Sequence, residues 1–279
     1  MIRGLEYNLK RTNLLLIIIL PLRLFSQQGT GDCHVTEPKN GIYIVAHRGA
    51  HNGIPENSLA AYQKAIDLGC DFVEIDIRTT KDGSFVSIHN STVEEYVKGD
   101  KGKVNESNLA ELRSLDIGKN YGPGWEGTKI PTFEEILDIC KGKIGIYLDL
   151  KAAKVSRLVE VIKRYRMEKE IIWYISASDT NDIEELSTNC PDCLLMPDPG
   201  AEENIKTVAS KFHPCILATD MDKLGEKFVN TAHLYNTMVI SDEKDGTENE
   251  WRQMLEWKTD GIQTDNPEEL ISFLISRNH

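Results

Sequence analysis

The sequence predicts an α/β chain folded as a (β/α)8 TIM barrel, with a small insertion after the second strand. Short apolar runs rich in β-branched residues alternate with stretches whose apolar residues recur at helical spacing, and eight strands can be counted in about 240 residues. Several runs deliver polar residues at their ends, beginning with Ile42–Ala46, which leads straight into His47. Two runs interleave charged and aliphatic residues at a period of 2, which places the charges of each on one face. At 279 residues, 40% hydrophobic and 27% charged, the chain has ordinary globular composition and can build one large domain or two small ones. Its net charge of −12 argues against nucleic acid or an anionic membrane surface as a partner, but not against a small anion held by local cations.

Residues 1–26 read as a secretory signal peptide. Arg3, Lys10 and Arg11 precede the apolar run Leu14 to Leu22, and Ser26 supplies a small residue for cleavage. The run is shorter than the roughly 20 residues a bilayer span needs, so the mature chain is expected to be exported, periplasmic or extracellular, without a stable membrane span. Residues 27–40 are polar and read as a linker, leaving 41–279 for the barrel.

Strand Ile42–Ala46 enters His47-Arg48-Gly49, and Asn57 or Ser58 caps a helix that Gly69 ends. In the second strand, Phe72–Arg78, Glu74, Asp76 and Arg78 share one face. Lys81-Asp82-Gly83 reads as a hairpin turn into Phe85–His89. From about 91 to 130 the pattern loosens: charged and glycine-rich at Lys98–Lys103, helical at Leu109–Leu115, then glycine-rich with Tyr121 and Trp125. This segment is expected to lie over one end of the domain, the alternative being a disordered loop. Pro131 introduces a helix at Thr132–Cys140, and the strand Ile144–Leu150 that follows sets Tyr147, Asp149 and Lys151 on one face. Strands at Ile171–Ser176, Leu194–Pro197, Cys215–Ala218, Thr237–Ser241 and Gly261–Thr264 then alternate with helices at Asp179–Thr188, Glu202–Phe212, Gly225–Tyr235, Glu248–Lys258 and Pro267–Ser276. Cys190 and Cys193 read as a local disulfide or two packed thiols, while Cys70 and Cys140 read as core residues.

In such a barrel the chemistry gathers where strands end, and His47, Glu74, Asp76, His89, Asp149 and Lys151 all lie there. Three converging carboxylates repel one another, and the usual remedy is a hard divalent cation with oxygen ligands, Ca²⁺ or Mg²⁺. Taken singly the residues have plainer readings. A strand-ending histidine is often structural, and Glu74 with Arg78 makes a solvated ion pair. His51, His213 and His233 read as surface or core residues.

His47-Arg48-Gly49, Pro55-Glu56-Asn57-Ser58, Glu74-Ile75-Asp76, Lys81-Asp82-Gly83 and His89 together resemble the signature of the glycerophosphodiester phosphodiesterase family, a likeness running from about Ile42 to Leu270. The resemblance implies a metal-dependent phosphoric diester hydrolase that releases glycerol 3-phosphate and an alcohol from a small-molecule phosphodiester. It implies metal ligands at Glu74, Asp76 and Asp149, with Glu56 either touching the metal or supporting a ligand. His47 and His89 suit general base and general acid, and Arg48 and Lys151 suit phosphate binding. The insertion would cap the site and shape the pocket for the alcohol. Rival readings are a phosphoinositide- or sphingomyelinase-type lyase on the same barrel and a catalytically dead phosphodiester-binding barrel. Two departures stand out: Asp149 where the family more often has glutamate, and Asn90 where it commonly has aspartate. Strand alternation predicts that Asn90 faces away from the His89 side chain.

Overall fold

In the computed structural model, which describes residues 35–277, strand β1 (Tyr43–Ala46) is buried at all four positions and pairs in parallel with strands on both sides. The carboxylate of Asp71 accepts from the backbone N–H groups of Lys39 and Ile44, fixing how the chain enters the barrel. The expected signal segment and most of the expected linker lie outside the described residues. Among the described residues no helix is long and apolar enough to cross a membrane.

Helix α1 (Leu59–Leu68) starts at Ser58, whose hydroxyl accepts from the Ala61 N–H at 3.2 Å, and stops at Gly69 in the left-handed conformation at φ +78°. Strands β2 (Phe72–Thr79) and β3 (Phe85–Ser87) form the antiparallel hairpin. After α2 (Leu109–Ser114), α3 (Phe133–Cys140) begins with a reciprocal cap between Thr132 and Glu135. Strand and helix then alternate: β4 (Gly145–Ala152), α4 (Val155–Tyr165), β5 (Ile171–Ser176), α5 (Thr180–Asn189), β6 (Leu194–Asp198), α6 (Ile205–Phe212), β7 (Ile216–Asp220), α7 (Glu226–Leu234), β8 (Met238–Asp242), α8 (Glu248–Glu256), β9 (Gly261–Thr264) and α9 (Pro267–Arg277).

Eight strands run parallel in the order β6-β5-β4-β2-β1-β9-β8-β7, with β6 and β7 close enough to make the barrel nearly closed, while β3 hangs from β2. This is the (β/α)8 architecture that the sequence predicts. Tyr43, Val45, Phe72, Tyr147, Ile172, Leu194, Met196, Ile216, Ala218 and Ile240 fill the barrel, and a larger cluster packs the strands against the outer helices. That inner layer positions the site. Two residues further along each strand, the same inward face carries His47, Glu74, Asp149, Asp198, Asp220 and Asp242.

Residues 91–130 fold around a small core of their own, in which Val93, Val104, Leu112, Ile117 and Ile130 meet Val86 and Ile88 from the hairpin. Arg113 makes two hydrogen bonds to Glu135, at 2.6 and 2.8 Å, tying the insertion to α3. Cys190 and Cys193 are disulfide-bonded, and Cys70 and Cys140 are buried thiols.

Gly49 has φ +86°, and a Cβ there would lie 2.7 Å from the Ala61 Cβ and 2.8 Å from its carbonyl carbon. Gly49→Ala therefore combines a strained backbone with a clash against α1, and is expected to destabilise the fold by about 2 kcal/mol or more. A lowered urea midpoint with an unchanged slope is the expected reading. An unshifted midpoint would mean the β1–α1 turn relaxes freely.

Candidate active site

The turn after β1 is built around two non-glycine residues in the left-handed region, Arg48 at φ +51° and Asn57 at φ +49°. Surrounding hydrogen bonds hold both. The Arg48 N–H donates to Glu74 at 2.7 Å, the Asn57 N–H donates to the Arg48 carbonyl, and the Asn57 amide donates to Asp76 at 2.7 Å. The buried hydroxyls of Tyr62 and Ser87 donate to the Asn57 side-chain oxygen. The Pro55-Glu56-Asn57-Ser58 motif thus orients an arginine and a carboxylate as well as starting a helix.

Glu74, Asp76 and Asp149 each bring a carboxylate oxygen within 4.8 Å of the others. Glu74 is only 2% exposed and Asp76 1%, so two of the three are held away from water. Lys151, on the same face of β4 as Asp149, is their basic partner, at 2.7 Å from Asp149 and 3.4 Å from Asp76. Arg48 is a weaker second, its Nε 3.7 Å from Asp76. Burial, followed by the charges of Asp76 and Asp149, pushes Glu74 well above the ordinary carboxylate range despite the opposing charge of His47. Burial also raises Asp149, opposed by Lys151.

The residues fit a hard divalent cation. The donors are all oxygen and largely desolvated, and the buried Oδ1 of Asp76 has no hydrogen-bond partner. Glu56 stands outside this group. It accepts from Arg48 at 3.1 Å and from the Tyr96 hydroxyl at 3.1 Å, so its contact with the ligand set runs through the guanidinium.

His47 lies against Asp265 in the loop after β9, with its Nδ1 2.7 Å from Oδ1. Burial opposes a charge on the ring. The hydrogen bond to Asp265 and the charges of Glu74, Asp242 and Asp265 outweigh it and raise the His47 pKa to about 9. His89 faces Asp149 closely enough for its charge to act on that carboxylate. Its Nδ1 is 2.8 Å from the side-chain oxygen of Asn90.

Three expectations are corrected. Asn90 does not turn away from His89: β3 ends at Ser87, so residues 88–90 lie beyond the regular ladder and strand alternation no longer governs them. His51 is neither a plain surface nor a core residue, because its Nε2 sits 3.0 Å from the same Asp265 oxygen that holds His47. Arg78 is not the ion-pair partner of Glu74. Its guanidinium donates twice to the His89 carbonyl, at 2.9 and 2.6 Å, and fixes the loop that carries that histidine.

All eight sequence candidates come to one mouth of the barrel: His47, Arg48, Glu56, Glu74, Asp76, His89, Asp149 and Lys151. Sequence reasoning missed Asp265, His51, Asp242 and Tyr96. The rule that polar strand ends face the mouth, applied to β8 and β9 as it was to β1 and β2, finds Asp242 and Asp265.

The sequence profile of the glycerophosphoryl diester phosphodiesterase family matches residues 47–269. A glycerophosphodiester phosphodiesterase from Caldanaerobacter subterraneus subsp. tengcongensis is 30% identical over 244 residues, covering 83% of this chain and 97% of that protein. One from Bacillus subtilis is 26% identical over 255 residues, covering 81% of this chain and 84% of its own length. The crystal structure of an Agrobacterium tumefaciens glycerophosphodiester phosphodiesterase superposes with a TM-score of 0.73 at 22% identity, covering 83% of this chain and 99% of that one. An Oleispira antarctica phosphodiesterase, solved in complex with the product sn-glycerol-3-phosphate, gives 0.73 at 22% identity, covering 84% of this chain and 96% of that one. These structures share the fold.

Proposed function

This chain belongs to the glycerophosphoryl diester phosphodiesterase family, and from that premise we propose that it hydrolyses glycerophosphodiesters to glycerol 3-phosphate and an alcohol with the help of a divalent cation. The observation that carries the proposal is the meeting of Glu74, Asp76 and Asp149 at the mouth that also holds His47 and His89. Ca²⁺ or Mg²⁺ would be held by the three carboxylates, and when bound it supplies positive charge to the phosphate and to the attacking oxygen.

The chain's own residues supply the rest. Arg48 and Lys151 present cations to the phosphate oxygens, Arg48 oriented by Glu56 and Lys151 by Asp149. The carboxylates around His47 hold its proton, which suits it to protonate the departing alkoxide as general acid. His89 has a neutral amide as its Nδ1 partner, leaving Nε2 to take a proton from the attacking water as general base. Export belongs to the same proposal, resting on the leader-like composition of residues 1–26 and fitting the Cys190–Cys193 disulfide, which an oxidising compartment sustains.

A coupled assay for glycerol 3-phosphate, run on several glycerophosphodiesters with Ca²⁺ or Mg²⁺ present, tests the activity. A lyase would instead accumulate a cyclic phosphate. Glycerol 3-phosphate as the end product supports hydrolysis; accumulated cyclic phosphate, or no turnover, overturns it.

The acid role of His47 has a consequence for pH. A general acid works while protonated, so activity falls as pH rises through its pKa, which is about 9 in the metal-free site. A bound cation offsets the charge of Glu74 and brings the alkaline limb lower. Asp265→Asn removes the hydrogen-bonded charge and is expected to shift that limb down by about 1 unit or more. An unmoved limb in the pH profile of kcat/KM would remove Asp265 from control of His47.

A further inference from the structure

The mechanism above uses the half of the barrel mouth formed by β1, β2 and β4. Across from it, β6, β7 and β8 end in Asp198, Asp220 and Asp242. Their positions are set by the fold: Asp220 and Asp242 are direct partners in the β7–β8 register, and Asp198 is paired with Ser176 at the end of β5. All three continue the inward faces that carry Met196, Ala218 and Ile240 in the barrel interior. This carboxylate wall joins the site at both ends. The charge of Asp242 acts on His47. On the other side Tyr174 lies between Asp149 and the wall, its hydroxyl 3.4 Å from Asp198 and its pKa pushed up by burial and then by Asp198, Asp149 and Asp220.

Carboxylates at a strand end do not by themselves make a site, but a second observation here points to a ligand. Gln263, on β9 opposite Asp242, is 7% exposed. Its side chain hydrogen-bonds Asp242, yet its buried Oε1 has no partner. The buried Oδ1 of Asp220 is likewise unpartnered, its other oxygen being taken by Lys223 at 2.6 Å. Asp198 accepts from the Gly200 N–H at 2.7 Å and from Tyr174, and neither donor carries a positive charge. The wall therefore offers three carboxylates and an amide oxygen, with Lys223 held by Asp220 and the charges of His47 and Arg48 reaching Asp242 from the catalytic side. The rings of Tyr147 and Tyr174, 5.9 Å apart, line the same interior.

We propose that this wall binds the alcohol half of the substrate and selects a cationic one, an amino alcohol carrying a primary or quaternary ammonium group, over a neutral polyol. The inference rests on the hydrolase reading above. An ammonium group gains Coulomb attraction from Asp198, Asp220 and Asp242 and a favourable place beside the face of Tyr174. The same charges repel the phosphate toward Arg48, Lys151 and the cation site, so the diester is oriented with its alcohol oxygen toward His47. A neutral alcohol has no charge to gain from the wall.

The test is a comparison of kcat/KM for glycerophosphoethanolamine, glycerophosphocholine and glycerophosphoglycerol in the metal-loaded full chain. At least one cationic diester is expected to exceed the neutral one by about 10-fold or more at low salt, with the margin shrinking as salt screens it. Asp198→Asn with Asp220→Asn should bring that ratio close to 1, and Asp198→Asn alone should move it part of the way. Equal constants in the wild type, or a preference that survives the double substitution, would overturn the proposal. If no diester is turned over, the hydrolase reading fails, and calorimetric binding of the same three compounds then decides the wall. Tighter binding of a cationic diester that the double substitution abolishes supports it, and equal binding rejects it.

Discussion

Replacing His47 or His89 by alanine is expected to lower turnover by about 10² or more, the usual scale for losing a positioned acid or base. The effect should fall on kcat with the fold intact. The His47 ring contacts Asp265, which keeps a second partner in His51, and the His89 backbone stays fixed by Arg78 and by the Tyr96 hydroxyl that accepts from its N–H. Because one histidine gives a proton while the other takes one in the same displacement, the double variant should lose less than the product of the two single losses. Turnover of each variant, read beside its circular dichroism spectrum, checks this. Near-normal turnover in a folded single variant would strike that histidine from the mechanism.

The second large effect concerns Glu74. In the metal-free protein its carboxyl is buried beside Asp76 and Asp149, and its pKa is raised. A raised folded-state pKa means that its favourable contribution is present below the unfolded value and lost as pH rises through the folded value. The metal-free fold should thus weaken with rising pH through that group, and a bound cation should restore it, so the metal-induced gain in Tm grows with pH. At 100 times Kd a cation that binds only the folded state adds about 2.7 kcal/mol. Glu74→Gln keeps the volume, removes the charge, and should abolish most of the Ca²⁺- or Mg²⁺-induced shift while raising the Tm of the metal-free protein. A full metal-induced shift in Glu74→Gln would place the cation elsewhere. Zn²⁺, which favours nitrogen and sulfur donors, should bind this all-oxygen set less well than its affinity for histidine sites suggests.

Much of this was legible because periodicity carries it. The β1 and β2 patterns give two adjacent parallel strands, and alternation in β2 puts Glu74 and Asp76 on one inward face, as the structure has them. Legibility stopped where regular structure stops. Strand alternation fails at Asn90 because it lies past the end of β3, where a local side-chain hydrogen bond decides its direction. His51 and Asp265 are more than 200 residues apart in sequence and meet because β1 and β9 are neighbours in the closed sheet, a contact no local pattern announces. The sequence marks Lys151 as a phosphate ligand, and its pairing with Asp76 appears only once β2 and β4 are set side by side. The core of residues 91–130 was hidden for a related reason. Val93, Val104, Leu112, Ile117 and Ile130 are spaced by loop geometry and follow no period of 2 or 3.6.

The central claim is that these carboxylates and histidines hydrolyse a glycerophosphodiester with a cation in place. A single ³¹P NMR time course tests it: chelator-treated full chain is mixed with a glycerophosphodiester, and Ca²⁺ or Mg²⁺ in excess of chelator is added midway. The expected record is a static diester resonance before the addition and steady growth of the glycerol 3-phosphate resonance after it. Conversion that proceeds unchanged before the cation is added, or a diester resonance that persists after it, would contradict the account.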